Sequence, residues 1–140
     1  MKNMKTLLLL LLHLSVASFT FSQPANNLCA NAASISSGLT CTTTSGTLSA
    51  STYTTFTNAC SNRNDVWYRF TATGNQATIT IVSTGGTNTA PRFQIFTNDC
   101  ANLSTSVVYC SNNNIGTATG LTNGTQYLVR VYCNNNTTTT

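Results

Sequence analysis

Residues 64–72 read NDVWYRFTA, and the interpretation of the fold turns on them. The run is unbroken in β-forming residues and holds the only Trp of the chain together with Asp65, one of two acidic residues. Successive side chains of a strand point to opposite faces, so Val66, Tyr68 and Phe70 share one face while Trp67 and Arg69 share the other. The same period of two recurs downstream. In residues 92–97, Phe93, Ile95 and Thr97 oppose Arg92, Gln94 and Phe96. In residues 125–133, Tyr127, Val129 and Val131 oppose Leu128, Arg130 and Tyr132. Residues 77–82 alternate Ala77, Ile79 and Ile81 against Thr78, Thr80 and Val82.

Turn chemistry separates these runs at Gly74-Asn75, Asn112-Asn113-Asn114 and Asn123-Gly124. Further short strands are predicted at 39–44, 46–52, 105–111 and 115–119, where Thr and other branched residues favour a pleated surface. No stretch of helical length places apolar residues at the spacing of one helix face. The prediction is an all-β fold, a two-sheet antiparallel sandwich, jelly-roll-like, of roughly seven to nine short strands.

Residues 1–22 read differently. Lys2 and Lys5 precede an apolar core at 7–14, and small residues at 17–22 close it. That is the pattern of a secretory signal peptide. The apolar run is shorter than the about 20 residues that span a bilayer, so no membrane insertion is expected after its removal. The expected organisation is a signal peptide at 1–22, a β-sandwich domain at 23–133, and an Asn/Thr-rich tail or the start of a truncated last strand at 134–140.

Setting the signal peptide aside removes both Lys and the only His, and the sequence contains no Glu. Four Arg (Arg63, Arg69, Arg92, Arg130) then face Asp65 and Asp99, leaving a net charge of +2 in place of +4. So small and scattered a charge gives no electrostatic footprint for nucleic acid or an anionic membrane. All six Cys (Cys29, Cys41, Cys60, Cys100, Cys110, Cys133) lie beyond the signal peptide, which predicts disulfides formed in an oxidising compartment. No C-x2-C pair points to zinc. Local bracketing favours Cys29–Cys41 and Cys100–Cys110, leaving Cys60–Cys133. The second pair conflicts with a straight strand leading to Cys110, because bonded Cα atoms lie within about 7 Å.

Several stretches, taken in order, resemble the pre-peptidase C-terminal domain and its relatives in secreted Bacteroidetes proteins. They are PANNLCANA at 24–32, DVWYRFTATG at 65–74, TITI at 78–81, RFQIFT at 92–97 and GTQYLVRVYC at 124–133. The resemblance implies a jelly-roll-like accessory module of bacterial extracellular or cell-surface proteins, without catalysis of its own. Members often carry acidic residues before the third of these strands and again after the next. Here those places read Asn88-Thr89-Ala90 and Asn112-Asn113-Asn114, which argues against the calcium site that the resemblance would imply.

The chemistry agrees with a non-enzyme. A Ser triad needs a base, and no His, Lys or Glu remains to serve. Paired-carboxylate chemistry would need Asp65 and Asp99 together. No catalytic residue, metal ligand or cofactor is therefore assigned. The expected role is attachment, to an extracellular glycan or to neighbouring domains of a longer protein. The candidate ligand-binding residues are Trp67, Arg69, Arg130 and Tyr132, which share the outer faces of two strands. The competing assignment puts Trp67 in the core. A structural adhesin or filament module completed by strand addition is the alternative. Weak calcium binding and ice binding through the recurring Thr-x-Thr pairs are further ones.

Overall fold

The computed structural model describes residues 22–86 and 90–134. The signal peptide expected at 1–22 lies outside these residues except for Ser22, as does the expected tail at 134–140 except for Asn134. Among the described residues seven strands form, in two sheets. They are β1 (Ala33–Ser34), β2 (Asp65–Thr71), β3 (Gln76–Thr80), β4 (Pro91–Thr97), β5 (Val107–Cys110), β6 (Ile115–Thr119) and β7 (Gln126–Cys133). The larger sheet runs β1-β2-β7-β4-β5, and β3 pairs with β6 in the smaller one. Every pairing is antiparallel except β1 with β2. The expected all-β sandwich is what forms.

Alternation fixes which faces meet. Phe70 is opposite Tyr127 and Tyr68 opposite Val129, while Phe93 is opposite Val131 and Ile95 opposite Val129. These side chains form one apolar layer that packs on Ala77, Ile79 and Ala118 of the smaller sheet. Phe70 stacks on Tyr127 and Phe93 lies against Tyr109, both with ring centroids 5.8 Å apart. Aromatic pairs at this spacing add modestly to the burial itself. The opposite face of β3 and β6 is exposed. There Thr78 and Thr117 are cross-strand partners with hydroxyls 2.8 Å apart, flanked by Thr80 and Thr119. Two of the Thr-x-Thr pairs thus adjoin. Thr54 of a third is instead tied to the Asp65 carboxylate, so the recurring pairs do not form one array.

The strands expected at 39–44 and 46–52 do not form; this chain crosses the molecule without joining a ladder. Its apolar residues are too sparse to bury a strand face, and Leu39 is fully exposed. Gly46 instead lies against the Tyr68 hydroxyl so closely that no Cβ would fit without displacing the ring.

The second face of the large sheet is also buried. A 3-10 turn at Cys29–Asn31 and the loop residues 51–63 lie across it, so the centre of the molecule has a third, irregular layer. Trp67, Phe96 and Leu128 pack there with Cys29, Ala32 and Leu103. Asn26 clasps the Trp67 backbone from both sides, donating through Nδ2 to its carbonyl and accepting from its N–H through the Asn26 carbonyl. Central strands covered on both sides are buried almost throughout, as β4 and β7 are here.

The disulfides differ from the expected pairing. Cys29 joins Cys100, with Cα atoms 5.8 Å apart, and Cys60 joins Cys110 at 6.3 Å. Cys41 and Cys133 are free thiols, the first exposed and the second buried. Cys100 sits in the β4–β5 turn, whereas Cys110 ends β5 opposite Gln94, so strand length separates them. Cys133 follows the parity of Val129 and Val131 toward the inter-sheet core, while Cys60 lies over the other face beside Gln94. Cys29 is buried on that same face among Trp67, Phe96 and Leu103, whereas Cys41 is exposed.

Candidate functional site

The four sequence-predicted binding residues do not form an exposed platform. Trp67 and Arg130 are 0 % exposed and Tyr132 is 1 %. Together with Asp65 they form a buried polar knot beneath the loop at 51–63. Arg130 Nε donates to Asp65 Oδ2 at 2.8 Å, its NH1 to the Ser61 carbonyl at 2.9 Å, and its NH2 to the Arg63 carbonyl at 3.0 Å. The Asp65 carboxylate also accepts from Trp67 Nε1 at 2.9 Å, from the Thr54 hydroxyl at 2.8 Å and from the Thr54 N–H at 3.1 Å. The rings of Tyr132, Phe56 and Tyr53 face the guanidinium at 4.9, 5.1 and 5.6 Å from their centroids. Arg69 is half-buried and holds the Cys29–Asn31 turn through the carbonyls of Ala32 and Ala30. The Asp65 carboxylate, the Arg130 guanidinium and the Trp67 indole thus satisfy one another inside the fold.

A cold spectroscopic consequence follows from that burial. Trp67 emission should be blue-shifted in the native protein and should stay unchanged on adding soluble glycans. A red emission that shifts with glycan would restore the exposed-platform assignment.

An open cleft lies elsewhere, at the end of the sandwich where β4 begins. A cleft of about 500 Å³ is lined by Ile81, Val82, Ser83, Ala90, Pro91, Arg92 and residues 112–114. Two connections build it, the one from β3 to β4 and the one from β5 to β6, together with the start of β4. The β5–β6 connection is a run of Asn held as a tight turn by Ser111. Its hydroxyl donates to the Asn113 carbonyl at 2.6 Å and accepts from the Asn113 N–H at 3.2 Å. Asn114 is structural. It exchanges backbone and side-chain hydrogen bonds with Ile81, at 2.7 and 3.1 Å. The side-chain amides of Asn112 and Asn113 are exposed and make no hydrogen bond to another described residue. Val82, 73 % exposed, and the half-buried Ile81 supply apolar surface beside them, with the buried Pro91 behind.

Arg92 is half-buried and is the cross-strand neighbour of Tyr132. Burial pushes the Tyr132 phenol up, and the positive charges of Arg130 and Arg92 act against that shift. Asp99 lies at the opposite end, in the turn after β4. Hydrogen bonds, that of Asn102 foremost, hold its carboxyl below the usual carboxylate range although it is in contact with solvent. Among the described residues, no three His, Cys, Asp or Glu side chains cluster as a metal site would require. Nor is any helix long and apolar enough to cross a membrane.

Of the cleft residues, sequence reasoning singled out Asn112-Asn113-Asn114 only as places lacking the acids of a calcium loop. It placed Arg92 on a strand face. Residues 88 and 89, the other expected loop positions, lie outside the described residues. The available signal was the Asn run itself, three adjacent amides where one would make a turn.

A two-sheet β-sandwich with a polar cleft at one end defines a module of the accessory, ligand-binding kind. The chain belongs to the T9SS-associated galactose binding domain-like family, whose sequence profile matches residues 25–140. That family is built on a non-catalytic binding fold. It shares the sandwich architecture and the link to Bacteroidetes secretion with the resemblance drawn from the sequence. No curated protein and no solved structure matches the chain.

Proposed function

We propose that this chain is a secreted attachment module that holds an extracellular glycan in the end cleft. Removal of residues 1–22 on export, and placement beside neighbouring domains of a longer protein at the bacterial surface, belong to the same proposal. The observation that carries it is the pair of exposed amides at Asn112 and Asn113, unbonded to other described residues, beside an apolar strip in a cleft of about 500 Å³. Amides both donate and accept, as vicinal sugar hydroxyls require, and a strip such as Ile81 and Val82 suits the C–H face of a sugar ring. The volume falls within the common range for small-ligand sites. Membership in a galactose binding domain-like family supports the same class of ligand.

The test is glycan-array screening followed by calorimetry with the best ligand. Asn112→Ala and Asn113→Ala should each weaken binding by roughly fivefold, the worth of one net hydrogen bond, with no change in the unfolding midpoint. Binding that is untouched in the double variant would remove the cleft from the function.

A further inference from the structure

We infer that the glycan held in this cleft carries a carboxylate, as a uronic acid does, and that Arg92 is its counter-charge. The inference rests on the cleft being the glycan site. Its ground is a charge inventory that the whole sequence closes, because the chain contains two acidic residues in all. Asp65 is fully buried and paired with Arg130. Asp99 is engaged by the Asn102 amide at 2.7 Å and the Ala101 N–H at 3.0 Å, at the far end of β4. No side-chain carboxylate is left for Arg92.

The four Arg divide accordingly. Arg130 has its carboxylate, and Arg69 is occupied with the carbonyls of Ala30 and Ala32. Arg92 and Arg63 make neither an ion pair nor a side-chain hydrogen bond to a described residue. Both sit at the cleft end of the large sheet. Arg63 lies two residues before β2, whose first residue Asp65 is opposite Tyr132, and Tyr132 is in turn opposite Arg92. The positive excess of the molecule is therefore gathered where the cleft opens, with Asp99 at the other end. Arg92 is a half-buried residue that lines the cleft and has no ion-pair partner among the described residues, so an anion in the cleft would supply one. The planar fork of Arg matches a carboxylate with two parallel hydrogen bonds. The amides of Asn112 and Asn113 remain for the ring hydroxyls.

The experiment compares oligogalacturonate with its methyl ester, the same sugar without the charge, by calorimetry at low and raised ionic strength. The native protein should bind the acid roughly tenfold more tightly than the ester, and salt should erode the difference. Arg92→Gln should abolish the preference while leaving the unfolding midpoint unchanged, since Arg92 makes no ion pair or side-chain hydrogen bond to another described residue. Equal binding of acid and ester, unaffected by Arg92→Gln but lost in the Asn112→Ala/Asn113→Ala variant, would overturn the carboxylate and leave the glycan cleft standing. Binding of neither, with both sets of variants silent on the glycan array, would overturn the cleft and the carboxylate with it.

Discussion

Arg130→Met is expected to lower the unfolding free energy by about 3–5 kcal/mol, among the largest effects of any single substitution in this chain. The side chain is completely buried, and Met fills much of the same volume, so the loss is electrostatic rather than a cavity. The Asp65 carboxylate would be left at 0 % exposure with only the Trp67 indole and Thr54 as donors. The carbonyls of Ser61 and Arg63 would lose their donor as well, loosening the loop that covers Trp67. The reverse change should be milder. Asp65→Asn keeps one acceptor, for the Trp67 indole and the Thr54 hydroxyl, and loses the one that serves the Thr54 N–H and Arg130 Nε, while Arg130 keeps two carbonyls and three aromatic faces. The double variant should lose less than the sum of the two, because no uncompensated charge remains. Urea unfolding followed by Trp67 emission measures all three. A loss below about 1 kcal/mol for Arg130→Met would be the value of an exposed pair and would contradict the buried knot.

The contrast between this knot and the sequence reading shows what a local pattern can carry. The period of two is a property of the strand itself, so the partition of Val66 and Phe70 from Trp67 and Arg69 was legible in the nine residues 64–72. The same holds for Phe93 and Ile95, and for Tyr127 and Val129, and their register across the large sheet agrees with it. What covers the second face was not legible. The loop at 51–63 has no periodicity. It is held by side chains reaching distant partners, as Thr54 reaches Asp65, Asn27 reaches Thr52, and Gln94 reaches Asn58 and Cys60. Asn58 itself takes a left-handed backbone conformation, with φ of 62°, which Asn tolerates better than most residues. The charged and aromatic residues of the outer face therefore looked like a ligand platform because their true partners are far away in sequence. The cleft was hidden for the same reason, being assembled from two connections, β3–β4 and β5–β6, that approach one another only when the sheets close.

Loss of both disulfides should be the largest change of all, on the order of 8 kcal/mol, or about 4 kcal/mol for each loop in the chain-entropy account. The bonds close separations of 71 and 50 residues, long enough to restrict the unfolded chain severely. Against a typical domain stability of about 5–15 kcal/mol, that loss leaves the fold near its threshold or beyond it. The two bonds also act on one structural element each. Cys29–Cys100 ties the N-terminal turn to the β4–β5 connection, and Cys60–Cys110 ties the covering loop to β5. Both hold the irregular third layer onto the large sheet, where no strand ladder would retain it. Cys29→Ser/Cys100→Ser and Cys60→Ser/Cys110→Ser should each lower the guanidinium midpoint, and Trp67 emission should shift to the red as the layer lifts. Alkylation before and after unfolding checks the pairing independently. Cys41 is exposed and should react in the native protein. Cys133 should react only on unfolding, since burial pushes its thiol up and keeps it protonated near neutral pH. Peptide mapping that finds Cys29 joined to Cys41, or no free thiol after unfolding without reductant, would overturn this connectivity and the stabilising role assigned to it.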